Sequence, residues 1–225
     1  MIFVFCMKPF RIKSIGILSL AILAACSHKH TVPPPDLAKG KAIYEATCKT
    51  CHGVAGEGNQ QMKSPALANL DGDYLLRQFR NFKNNVRGGV QADTLGNQMA
   101  TIAKTLNDTL LIRDVIAYID SMPQVKSMER LSGDWKNGEQ IYQGLCGSCH
   151  GPEGKGNVKL NAPQLNGLSS WYLRSQFNKF KNGYRGVNPN DKYGVQMAAI
   201  VTVVKESQSV EDVITYLRSD IPVAK

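Results

Sequence analysis

The chain has 225 residues, 43% hydrophobic, 20% charged and 8% aromatic, with 27 Lys and Arg against 18 Asp and Glu. That balance excludes a disordered or collagenous chain and a polytopic membrane protein. At roughly 150 residues per domain, the length allows one large domain or two small ones.

The chain opens with Lys8, Arg11 and Lys13 and no acid, followed by an apolar and small-residue run from Ser14 to Ala25. A basic flank before a short apolar run is the form of a signal peptide, predicted over residues 1–25. The run falls well short of the roughly 20 apolar residues that a spanning helix needs. It ends Leu23-Ala24-Ala25-Cys26, which resembles the lipobox of bacterial prolipoproteins. Cys26 is therefore the predicted lipidation site and mature N-terminus, with an ordinary secretory signal and an incidental cysteine as the alternative. Residues 26–35 carry three consecutive prolines and read as an extended tether.

From Asp36 onward the chain repeats. A gapless shift of 98 residues makes about 34 of the 86 pairs from Asp36 to Ser121 identical. Two copies are too few for a solenoid, so the expectation is two small domains, 36–121 and 134–225, joined by a linker over 122–133. Within each copy the periodicity is helical. Asp36 and Asp134 can N-cap a first helix that carries Ile43 or Ile141 inward. Leu75, Phe79, Phe82 and Val86 mark one face of a second helix, and Ile112, Val115, Ile116 and Ile119 mark a third, with Val210, Val213, Ile214 and Leu217 as its twin. No stretch alternates for long enough to form a sheet. The fold class is all-α, a tandem duplication of small helical bundles. Cores this thin need a covalent or metallic staple.

The staple is written as Cys48-Lys49-Thr50-Cys51-His52 and Cys146-Gly147-Ser148-Cys149-His150. Cysteines three apart on a helical turn face one way, so both sulfurs can add to the vinyl groups of one haem while the next histidine meets the iron. A redox dithiol leaves that histidine unexplained, and a closed zinc site lacks its fourth ligand. Two covalently bound c-type haems are thus predicted. Of the four histidines, His28 and His30 lie in the tether, which argues against bis-histidine ligation of both irons. Met197 is the single methionine of the second copy, and Gln196-Met197-Ala198 matches Gln98-Met99-Ala100. Met99 and Met197 are the predicted second axial ligands. His/Met ligation raises the potential and leaves no vacant position for a substrate.

These motifs make the chain resemble a di-haem class I cytochrome c of the cytochrome c4 family. The resemblance runs from Asp36 to about Pro222 through Gly-x-x-x-Tyr, Cys-x-x-Cys-His-Gly, Gly-x-Gly-Asn, Pro-x-Leu, Tyr-Leu-x-x-Gln-Phe and Gln-Met-Ala. It implies two all-helical domains about an approximate twofold axis, with haem propionates facing each other near the boundary. It also implies electron transfer in the periplasm, from a bc-type quinol oxidoreductase to a terminal oxidase. By the same resemblance, the Pro65 and Pro163 carbonyls orient His52 and His150. Gly40 with Tyr118 and Gly138 with Tyr216 mark close helix crossings. Asn85-Val86-Arg87-Gly88-Gly89 departs from the usual Gly-x-Arg-Gly, which puts the rim of the first haem in doubt.

Without the three leader cations and with two haem charges added, the formal net charge of +9 falls to about +4. The first copy is near neutral, whereas residues 125–225 hold thirteen basic and nine acidic residues. That surplus suggests an acidic redox partner or a membrane surface, with a solvated face as the alternative. Nucleic acid is not an expected partner. Lys83, Arg87, Lys181 and Arg185 either hold propionates or are simply exposed. The reading is a non-enzymatic, lipid-tethered periplasmic carrier with a redox donor and acceptor. A cytochrome subunit of a periplasmic dehydrogenase and, further off, a di-haem peroxidase are the alternatives.

Overall fold

Each half of the chain begins where an aspartate caps a helix. In the computed structural model, which describes residues 32–125, 129 and 131–218, Asp36 accepts from the amides of Ala38 and Lys39, and Asp134 from those of Lys136 and Asn137. These carboxylates satisfy N–H groups that have no partner inside the helix. The predicted signal peptide, Cys26 and the first part of the tether lie outside the described residues.

The first half holds α1 (Leu37–Ile43), a π-helical turn (Tyr44–Cys48), α2 (Lys49–His52), α3 (Gly72–Lys83), α4 (Thr94–Thr105) and α5 (Thr109–Asp120). The second holds α6 (Trp135–Leu145), α7 (Gly147–His150), a 3-10 turn (Val158–Leu160), α8 (Ser170–Lys181), α9 (Lys192–Val201) and α10 (Ser207–Arg218). Among the described residues, β pairing is confined to isolated bridges, Asn59 with Ser64 and Asn157 with Ala162. The protein is all-α.

The predicted second helix is shorter than its apolar face suggested. It stops at Lys83, is capped by Asn84 and is followed by Asn85 at φ 54°, so Val86 lies beyond it. Asn85 adopts the left-handed backbone that Gly183 adopts at φ 72°, and the departure from the family pattern leaves the turn intact. Periodicity did not reveal α4 and α9. They start where Asp93 and Asp191, both buried, accept from the amides of Gly96 and Gly194 at 3.0 and 3.1 Å.

The first and last helices of each half cross as closely as expected. A Cβ on Gly40 would lie 2.1 Å from the Asp114 carbonyl oxygen and 2.9 Å from Tyr118 Cβ, and one on Gly138 would lie 2.0 Å from the Asp212 carbonyl oxygen. Asp114 and Asp212 in turn accept from the amides of Asp36 and Asp134 at 2.9 and 2.8 Å, so each carboxylate on the last helix holds the start of the first.

The described residues from Pro35 onward form one compact unit, and the two repeats share a core. Leu168 and Tyr172 of the second pack into the cluster of Tyr44, Leu70, Tyr74, Leu75, Val115 and Ile119 of the first. Asn69, 3% exposed, donates to the carbonyls of Val125 and Gly167, both at 2.7 Å. Arg77 donates to Asn161 Oδ1 and its carbonyl at 3.0 and 2.8 Å, and Lys179 meets Asp93 at 2.6 Å.

Candidate cofactor sites

Each predicted site grows from one helical turn and the loop after it. The chain leaves His52 through Gly53 and doubles back at Gly56 and Gly58, with positive φ at all three. A Cβ on Gly58 would lie 2.5 Å from the Ala66 amide nitrogen, so only glycine lets the two strands of this loop pass. The fold-back brings the Pro65 carbonyl to 2.9 Å from His52 Nδ1, and the same loop brings the Pro163 carbonyl to 2.8 Å from His150 Nδ1. A carbonyl can only accept, so Nδ1 carries the proton and Nε2 keeps a lone pair for a metal. Burial pushes both imidazoles below their ordinary pKa, which also favours the neutral, ligating form.

Tyr44 and Tyr142, both fully buried, donate their hydroxyls to the carbonyls of Gly53 and Gly151 at 2.7 Å. They fix the backbone immediately after each histidine. The sequence shows this tyrosine only as part of a motif, because its position on α1 or α6 reads as ordinary core.

In the second half the structure brings Cys146, Cys149, His150 and Met197 to the wall of one cavity of about 220 Å³. Leu165, Phe177, Phe180, Val201 and Leu217 supply an apolar lining, and Tyr74, Arg77 and Gln78 of the first half close one side. In the first half Cys48 packs on the core beside Tyr44, and Met99 packs on Phe82, Ala100 and Ala103. Burial, and then the neighbouring thiol, push Cys48 and Cys146 up to about 11. They are poor thiolates at neutral pH, which counts against a redox dithiol. Among the described residues no group of three His, Cys, Asp or Glu side chains is arranged to hold a metal ion by itself.

The four predicted cations divide. Arg87 and Arg185 are buried, at 8% and 5% exposure, which removes the exposed alternative for both. Lys83 instead donates to the carbonyls of Leu106 and Asn107, and Lys181 to those of Val204 and Lys205. The lysines therefore close the segment between the second and last long helices of each half.

The apolar cavity of the second half, with paired thiols, a neutral imidazole and a thioether on its wall, fits a porphyrin iron, and the buried Arg87 and Arg185 Nε–H groups without partners suit its carboxylates. Fold and site together define a haem-binding electron-transfer module present twice. The cytochrome c family model matches residues 37–123 and again residues 135–220. The chain belongs to the cytochrome c family and binds two c-type haems covalently.

The chain is 31% identical over 154 residues to the thiosulfate dehydrogenase electron acceptor of Stutzerimonas stutzeri (strain A1501), covering 65% of this chain and 68% of that protein. It is 32% identical over 133 residues to the cbb3-type cytochrome c oxidase subunit CcoP of Rhodobacter capsulatus, covering 56% of this chain but only 42% of the subunit. Among solved structures, reduced cytochrome c4 from Pseudomonas stutzeri superposes with a TM-score of 0.62 at 25% identity, covering 82% of this chain and 98% of that one. This protein is a di-haem electron-transfer cytochrome c, homologous to cytochrome c4. No helix among the described residues is long and apolar enough to cross a membrane.

Proposed function

We propose that the protein is a periplasmic electron carrier, tethered through a lipid on Cys26, that works between a bc-type quinol oxidoreductase and a terminal oxidase. Cys48, Cys51, Cys146 and Cys149 form the thioethers, with His52 and Met99 on one iron and His150 and Met197 on the other. The observation that carries this reading is the gathering of Cys146, Cys149, His150 and Met197 around one apolar cavity, repeated in sequence by the first half. When bound, each haem would supply a one-electron redox site held by these residues. The residues do the rest: the prolines hold each imidazole tautomer, the tyrosines hold the backbone beside it, and the apolar lining excludes water.

The basic surplus of residues 125–225 makes the second half the docking side for an acidic partner. Charge-steered encounters weaken as salt shortens the Debye length from about 10 Å at 0.1 M to about 3 Å at 1 M. Reduced protein mixed with oxidase-containing membranes should be oxidised quickly at low salt and more slowly at high salt. Charge reversal within residues 125–225 should slow it more than reversal in the first half. A rate indifferent to salt, or no oxidation by any respiratory membrane, overturns this route. The similarity to a thiosulfate dehydrogenase electron acceptor favours one second reading, a cytochrome that accepts electrons from a single periplasmic dehydrogenase. Co-purification with such an enzyme would select it.

A further inference from the structure

The helix that carries Met99 is held at its start by the other half of the chain. α4 begins at Asp93, whose Oδ1 accepts from the Gly96 amide at 3.0 Å and from Lys179 Nζ at 2.6 Å. Lys179 stands on α8, in the second repeat. One carboxylate oxygen therefore joins the cap of a first-half helix to a second-half ammonium. The two side chains are only 3% and 15% exposed, so the pair is little screened. Loss of either partner would leave a buried charge unpaired.

The first turn of α4 has no slack around it. A Cβ on Gly88 would lie 2.2 Å from the Gly96 carbonyl oxygen, so this turn rests directly on the loop before it. From there a continuous helix, Thr94–Thr105, runs to Met99, which packs on Phe82, Ala100 and Ala103. A shift at Asp93 is thereby passed to the thioether within two turns.

The arrangement is not returned. By the 98-residue shift, Asp93 corresponds to Asp191 and Lys179 to Asn81. Asp191 caps α9 through the Gly194 amide at 3.1 Å, but Asn81 Nδ2 is buried with no acceptor, so it gives Asp191 no bond. What the first half sets against the start of α9 is Arg77, 5.0 Å from the centroid of the Tyr193 ring, a contact without a carboxylate. The two methionine helices are capped alike, and only the first has its cap locked by an ion pair from the other repeat.

We propose that Lys179 is a positioning residue that acts across the junction and keeps Met99 in place for the first haem iron, so that ligation in the first half depends on the second. This rests on the axial-ligand reading above. An outside ligand can replace a thioether on iron, and its apparent affinity scales with the fraction of molecules in which the methionine has withdrawn. The probe is imidazole, titrated into the ferric, haem-loaded protein and followed by loss of the iron–sulfur charge-transfer band. In Lys179→Asn, which installs the residue the first repeat carries at the matched position, imidazole should bind one haem on the order of tenfold more tightly. That haem should be the one whose band is lost in Met99→Ala. Asp93→Asn, which keeps a capping oxygen and loses the charge, should do the same. Lys205→Asn, which removes an exposed lysine of the second half, should change neither haem.

A variant that merely loosened the second half would act on the haem of His150 and Met197. Tighter imidazole binding there, at both haems alike, or in Lys205→Asn as well overturns the proposal. If both bands persist in Met99→Ala, the ligand assignment falls and the proposal with it. If one band is lost there while imidazole binding is unaltered in Lys179→Asn and Asp93→Asn, the cross-junction role alone is overturned.

Discussion

Met99 and Met197 stand on helices that periodicity did not reveal, yet the repeat singled them out, because a gapless shift pairs them whatever their local structure. Met99→Ala and Met197→Ala should each abolish the iron–sulfur charge-transfer band of one haem and lower its potential. A variant that leaves both haems unchanged has the wrong residue. The cysteines and histidines were legible for a similar reason, since their chemistry depends on neighbours one to three residues away. Tyr142 was not, because its hydroxyl finds the Gly151 carbonyl only after the chain has turned. Tyr142→Phe leaves that carbonyl without its donor and should cost about 1–2 kcal/mol in denaturant titration. Arg87 and Arg185 were equally opaque: their burial depends on a helix about a hundred residues away, and no local pattern records it.

At the level of elements, the crossing of α6 with α10 is the contact that tolerates least. Gly138→Ala would set a methyl carbon 2.0 Å from the Asp212 carbonyl oxygen, and backbone must move to admit it. We expect a loss of about 3 kcal/mol or more, read as a low yield of haem-loaded protein. Asp212 adds a pH dependence to the same crossing. It accepts from the Asp134 amide at 2.8 Å, Asn137 at 2.7 Å and Gln208 at 2.8 Å. Burial raises its pKa, but these bonds outweigh it and hold the carboxyl below its ordinary value. With the folded value depressed, the stabilisation is present above the ordinary carboxylate pKa, about 3.9, and is lost as pH falls through the folded value. The thermal midpoints of wild type and Asp212→Asn should therefore differ at pH 7 and converge below about pH 4. The first helix of each half was legible from its capping aspartate, and the last from its row of buried aliphatic residues. The end of α3 and the whole of α4 and α9 were not, since α4 buries only the small residues Gly96, Ala100 and Ala103, α9 leaves Val195 and Ile200 exposed, and α3 stops at a turn set by Asn84 and Asn85.

At the scale of the molecule, the duplication predicts two domains, but Leu168 and Tyr172 lie in a core assembled mainly from the first repeat. A protease site engineered between Val125 and Leu131 should give two haem-bearing fragments that co-elute in native buffer and separate in denaturant. Separation without denaturant would mean that the shared core contributes little to association. The repeats are similar enough that halves of different chains could pair like with like. Arg77 speaks against it. Its partner Asn161 is matched in the first repeat by Lys63, which adopts nearly the same backbone, φ 54° against 55°. Two first halves meeting through this surface would set Arg77 against Lys63 on both edges, a like-charge clash that the native pairing avoids. A single divergence between two copies thus gives the halves a rule of partner choice, first half with second half.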